Sequence, residues 1–129
     1  MDEKLLAKWV KYLSSGRGHA SAACDFAQLL WSGAVTQQQQ VELLKTGNVN
    51  VRRTVAWAVS GLSRDNDAMR YLMNECFNDR DAGVRRHVWG AIRQAQYLNF
   101  DQKQQLIEKF GEDQDEVVLR LVSDVRSTS

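Results

Sequence analysis

VRRTVAWAV, residues 51–59, returns 33 positions later as VRRHVWGAI, residues 84–92. Val51, Arg52, Arg53 and Val55 recur as Val84, Arg85, Arg86 and Val88. The doubled arginine is either a contact surface for something acidic or the mark of a structural repeat, and the neighbouring sequence favours the second. The same shift carries Val51 to Val84 to Val117, Val55 to Val88 to Leu121, and Val59 to Ile92 to Val125. In the segments between, Leu44, Phe77 and Phe110 align, as do Met73 and Leu106. A fixed period of this size is the signature of stacked supersecondary units.

Each unit reads as two helices. Val51, Val55, Ala58, Val59 and Leu62 fall at i, i+4, i+7, i+8 and i+11, one apolar stripe at helical spacing, and Val84, Val88, Ala91, Ile92 and Ala95 repeat it. Shorter amphipathic helices precede the second helices, at roughly 36–46, 66–78 and 101–111. Thr36, Asn66 and Asp101 stand at their expected N-caps, and Gly47 and Gly111 at ends where a left-handed residue commonly closes a helix. The first unit aligns best at a shift of 32, with stripes Leu6, Trp9, Val10, Leu13 and His19, Ala23, Phe26, Ala27, Leu30. The run Gln37 to Gln40 leads into Val41, Leu43 and Leu44 and reads as a solvated helix face. Proline is absent where an average chain of this length holds about six, so no ring interrupts a helix. The expectation is all-α: a right-handed α-solenoid of four helix pairs in one domain, with units roughly 1–32, 33–64, 65–98 and 99–129.

The segments DAGVRRHVWGAI and NVNVRRTVAWAV resemble the short, armadillo-type HEAT-like repeat found in bacterial adaptor and lyase-type proteins. The residues that carry the resemblance are Asp81, Val84, Arg85, Val88, Ala91 and Ile92, with Asn48, Val51, Arg52, Val55, Ala58 and Val59. It implies that the turn residue and the first arginine pair along the stack, Asn48 with Arg52 and Asp81 with Arg85. The terminal units depart from it, with Ala20 and Val118 where arginine belongs, and would act as caps.

Opposite the apolar stripe, the second helices present Arg53, Trp57, Ser60 and Arg64, then Arg86, Gly90, Arg93 and Tyr97. Of these, Arg53, Trp57, Arg64, Arg86, Arg93 and Tyr97 are the expected partner-binding residues, because arginine and large aromatics dominate binding hot spots. Trp57 occupies the repeat position that Gly90 fills one unit later, and Trp89 that of Ala56, so each tryptophan is either a contact residue or large-against-small packing between neighbouring helices. Trp9 and Trp31 read as core or seam. In the last helix Leu119 takes the place of Arg53 and Arg86, and Val118 and Val122 widen the apolar surface, which predicts self-association or a homodimer there unless the tail covers it.

The remaining chemistry is sparse. His19 and His87 have no metal-binding spacing, Cys24 and Cys76 form no CxxC, and no HExxH, GxSxG or phosphate-binding fingerprint is present. His87 reads as a partly buried imidazole, and Gly16-Arg17-Gly18 as an ordinary turn. Seventeen basic against sixteen acidic side chains argue against a nonspecific nucleic-acid binder, although residues 48–97 carry eight arginines against five acids. Some bacterial DNA glycosylases for alkylated bases use HEAT-like repeats, but this chain is about half the length such a groove needs. Where a catalytic carboxylate would be wanted, its middle units have Ala58 and Ala91, while Asp25 and Asp124 lie on terminal units. The expected function is a noncatalytic protein-binding module of adaptor or inhibitor type, cytoplasmic, without metal or cofactor. The alternative is a nucleic-acid-binding HEAT-like protein.

Overall fold

The structure, a computed structural model, describes residues 1–17 and 19–128, side chains at 19 and 128 excepted. Gly18 of the Gly16-Arg17-Gly18 turn, the His19 side chain and Ser129 lie outside the described residues. Among the described residues the chain is all-helical, without a strand: α1 Glu3–Ser14, α2 His19–Trp31, α3 Gln37–Thr46, α4 Val49–Leu62, α5 Asp67–Glu75 followed by a 3₁₀ turn Cys76–Asn78, α6 Ala82–Gln94, α7 Phe100–Phe110 and α8 Glu116–Thr128. No helix of the described residues is long and apolar enough to cross a membrane.

Local chemistry sets the helix starts. Thr36 caps α3 in a reciprocal box with Gln39, Asn48 accepts from Val51 N–H at 3.0 Å, and Asn66 from Met69 N–H at 2.9 Å. The cap of α7 is Asn99, boxed with Gln102, so Asp101 sits in the first turn instead, where its charge complements the helix dipole. Gly47 and Gly111 do end α3 and α7, yet both have negative φ. They are needed for space: a Cβ on Gly47 would lie 2.6 Å from Leu43 O, and one on Gly111 would meet the Ile107 carbonyl. Left-handed residues close other helices: Gly16 at φ 72° after α1, Gly33 at φ 89° after α2 and Ser63 at φ 50° after α4.

The second helices pack in series, α2 on α4, α4 on α6 and α6 on α8, while α3 and α5 pack against each other and against α4. Val51, Val55, Ala58 and Val59 of α4 and Val84, Val88, Ala91 and Ile92 of α6 are fully buried between them. Phe77 and Phe110, one period apart, stack with centroids 4.0 Å apart and rings within 5° of parallel.

The 33-residue register holds to Phe110 and then slips. In α8 the buried residues are Val118, Val122 and Val125, and Asp115 Oδ2 accepts from Val118 N–H at 2.9 Å just as Asp81 Oδ2 accepts from Val84 N–H at 3.0 Å. Val84 therefore corresponds to Val118, a shift of 34, and the extra residue lies in the turn between Phe110 and Asp115. Val118 and Val122 are core, 0% and 3% exposed, which removes them from any self-association surface. Leu119 alone stays exposed, at 44%, in the place of the first arginine, and Arg120 takes that of Arg53 and Arg86. The glutamine run is helical as expected but is not simply a solvated face. Gln39 Nε2 donates to Met1 O, Gln37 Oε1 accepts from Ala68 N–H, and Gln40 is 1% exposed with its amide donated to Val35 O.

Cys76 is buried, and desolvation, assisted by Asp79, pushes its thiol up to about 12, whereas Cys24 is exposed. Because the thiolate is the reactive form, iodoacetamide at neutral pH should modify one thiol in the folded protein. Mass spectrometry should find it on Cys24, with Cys76 labelled only in denaturant; rapid native labelling of Cys76 would contradict this packing.

Candidate partner-binding face

Both arginines of each VRR reach across to the following unit. Arg52 Nε and Nη2 hold Asp79 Oδ2 and Oδ1 at 2.9 and 3.1 Å, and Arg85 holds Asp113 in the same way at 2.7 and 3.1 Å. Their remaining nitrogen, Nη1, donates to a backbone carbonyl, Gly47 O at 3.0 Å and Asp79 O at 2.8 Å respectively. These four side chains are 11–19% exposed. One residue on, Arg53 holds Asp81 at 2.7 and 2.5 Å and Arg86 holds Asp115 at 2.9 and 2.7 Å. Here the aspartates are 14% and 16% exposed but the arginines 46% and 43%.

Each acceptor pair is an Asp-x-Asp turn, Asp79-Arg80-Asp81 and Asp113-Gln114-Asp115. The first aspartate also accepts the N–H of the second, and the second caps the next helix. Hydrogen bonding by Arg53 holds the Asp81 carboxyl below the usual range, and Arg86 does the same for Asp115. Burial pushes Asp113 upward, but the pairing with Arg85 and the hydrogen bond from the Asp115 N–H together outweigh it and the net shift is down.

The expected pairs Asn48 with Arg52 and Asp81 with Arg85 are therefore replaced. Asn48 serves as a cap, Arg52 and Arg85 each grip an aspartate one unit further along the chain, and Asp81 belongs to Arg53. Arg53 and Arg86, expected to face outward for a partner, are clamped along one edge and open along the other.

The other expected residues divide. Arg93 Nη1 meets Asp124 Oδ2 at 3.3 Å across α6 and α8, and Arg64 is exposed with no ion pair among the described residues. Tyr97 is 37% exposed, its hydroxyl 3.9 Å from Met73 Sδ, and burial followed by Asp65 raises its pKa, which sets it against α5 and the turn after α4. Trp89 is 1% exposed and is packing. Trp57 is half-buried, 6.0 Å between centroids from Trp31, which is 40% exposed and donates Nε1–H to Ala58 O at 2.7 Å. A Cβ on Gly90 would meet nothing within 4 Å, so Trp57 is not answered by Gly90 in a large-against-small contact.

Beside Trp57 lies a cavity of about 370 Å³ that the sequence did not reveal, lined by Ala20, Ala23 and Cys24 of α2, Arg53, Thr54 and Trp57 of α4, and His87 of α6. Its lining is mostly apolar. Burial pushes the His87 imidazole down, so it is neutral at physiological pH and offers one donor and one acceptor. The signal was the missing VRR of the first unit: Ala20 and Ser21 stand where α4 has Arg52 and Arg53. Larger clefts, of about 760 and 650 Å³, lie away from this face, between α1 and α3 and between α5 and α7. No group of three or more His, Cys, Asp or Glu among the described residues could hold a metal ion.

Comparison of the chain with protein-family models, with curated proteins and with solved structures gives no match.

Proposed function

We propose that the chain is a right-handed α-solenoid of four HEAT-like helix pairs, and that the face of its second helices is a noncatalytic protein-binding surface of adaptor or inhibitor type, working in the cytoplasm. The supporting observation is the apolar cavity lined by the half-buried Trp57, which meets the exposed Trp31, on the face where Arg53 and Arg86 are held by ion pairs. Aromatic and arginine side chains bind by large contact area with directional polar groups, and orientation before binding lowers the entropy cost.

Nucleic acid fits this face less well. Arg53–Asp81 and Arg86–Asp115 are each neutral as pairs, so the face offers a polyanion little net positive charge. Nucleic-acid binding would show as an affinity falling steeply with salt.

Trp57 is the residue on which to test the reading. Trp57→Ala removes a half-buried indole without touching an arginine clamp, so helical circular dichroism should be kept while a partner co-purified from the native cell is lost. Undiminished capture of the same partner by Trp57→Ala would refute this face as the binding surface.

A further inference from the structure

α1 carries three rows of side chains, each at i, i+4 and i+7. Leu6, Val10 and Leu13 turn to the core. One residue earlier, Leu5, Trp9 and Tyr12 form a second apolar row, in which Leu5 and Tyr12 are both 47% exposed. One residue earlier again stand Lys4, Lys8 and Lys11. The apolar surface of the helix therefore runs out of the core past Trp9, whose ring lies 5.7 Å from Phe26 and 6.4 Å from Tyr12, and ends at a line of lysines. Leu5, Lys8, Trp9 and Tyr12 line a shallow, almost wholly apolar hollow there. A terminal unit of a helix-pair stack is expected to turn a polar side to water, and this edge does not.

The acids of the first unit do not answer the lysines. On α1 no acid stands three or four residues from Lys4, Lys8 or Lys11, and none of the three has an ion pair among the described residues. Asp2 accepts the N–H groups of Lys4 and Leu5 as the cap of α1, and Glu3 accepts from Gln39 Nε2 at 3.2 Å on the side facing α3. Asp25 of α2 is exposed, and Glu42 of α3 lines the α1–α3 cleft together with Lys11. Lys4 and Lys8 remain as cations beside the apolar row.

We propose that this edge of α1 docks on an anionic lipid surface, with Leu5, Trp9 and Tyr12 entering the headgroup layer and Lys4 and Lys8 meeting the lipid anions. Leucine, tryptophan and tyrosine beside lysine is the side-chain set of an interfacial helix: the aromatic rings settle at headgroup depth, and long lysine stems cross apolar surface to keep their charge in the polar layer. A protein partner suits the edge less, because lysine is depleted from protein interfaces and the hollow cannot be covered without covering Lys8. A second copy meeting it through the same edge would bring its own lysines against these. The edge belongs to a first helix, so the proposal does not depend on the second-helix face described above.

Sedimentation of the full chain with vesicles tests it, using phosphatidylcholine alone and phosphatidylcholine with about one third phosphatidylserine, at about 0.1 M salt. Binding to the anionic vesicles should exceed binding to the neutral ones about tenfold or more. Lys4→Glu with Lys8→Glu should abolish that preference. Leu5→Ser with Tyr12→Ser, at two exposed positions, should lower binding about tenfold with helical circular dichroism kept, which a purely ionic contact would not show. Vesicles with brominated acyl chains should quench tryptophan fluorescence, and Trp9→Phe should remove the quenching while the vesicles stay bound. Trp57→Ala should bind vesicles as the parent does. No sedimentation, equal sedimentation with both vesicle types, undiminished anionic binding by either double variant, or quenching that survives Trp9→Phe would overturn the proposal. So would loss of vesicle binding in Trp57→Ala, which moves the contact to the second-helix face. A doubled mass by light scattering that Leu5→Ser with Tyr12→Ser returns to the monomer's would give the edge to a second copy and overturn it too.

Discussion

Trp89→Ala should lower the unfolding free energy by about 4 kcal/mol, close to the largest cost a single core truncation carries. Trp89 is 1% exposed in α6, meets Phe77 edge-on at 5.3 Å, and through Phe77 joins the stacked Phe110 of α7. Its removal leaves a cavity beside Phe77 that the surrounding packed side chains can fill only in part. For a domain whose whole stability is about 5–15 kcal/mol, urea unfolding followed at 222 nm should show a midpoint displaced far to low denaturant. Trp57→Ala, at a half-buried position, is expected to cost much less. Equal losses for the two would contradict the division of the tryptophans into one packing residue and one contact residue.

Asp79→Ala ranks next, at about 3 kcal/mol. It strips the carboxylate from Arg52, which is 14% exposed, and also removes the acceptor for the Asp81 N–H that sets up the cap of α6. A guanidinium left in such a place has lost its counter-charge and cannot regain full hydration, so breaking the pair costs more than the pair itself contributes. Asp113→Ala removes the same contacts one unit later, Arg85 and the Asp115 N–H, and should behave alike. As a control, Asp67→Ala breaks an exposed i,i+3 pair with Arg70 and removes the acidic side chain from the first turn of α5, and should cost only about 0.5 kcal/mol. If Asp67→Ala and Asp79→Ala shift urea midpoints equally, Arg52 is not a buried clamp.

Much of the helical fold was legible because its signals are local. Thr36, Asn48, Asn66 and Asp81 sit where short polar side chains can cap, and the stripes of α4 and α6 admit one phase only. The last helix was misread because Val117 with Leu121 and Val118 with Val122 both make an apolar stripe at helical spacing, and only the cap by Asp115 selects the second. Of the candidate site, the positions of Arg53, Arg86 and Trp57 on one face followed from helical phase. Their partners did not, since Arg53–Asp81 and Arg86–Asp115 are contacts 28 and 29 residues apart between units. The paired Asp-x-Asp turns at 79–81 and 113–115 were the available signal, spaced by 34 where the arginines are spaced by 33. The cavity could be sensed only as an absence, through Ala20 and Ser21 where arginines recur later. Tyr97 looked equivalent to Arg64 by phase, but α6 ends at Gln94, so helical phase no longer fixes its direction.

The doubled arginine clamps one helix pair to the next, and a double-mutant cycle on Arg52 and Asp79 measures the strength of that clamp. Unfolding free energies of Arg52→Ala, Asp79→Ala and the double variant, from urea denaturation, should reveal a coupling of about 1.5 kcal/mol or more, the double variant losing far less than the two singles together. Additivity within about 0.5 kcal/mol would mean that the two residues do not hold each other.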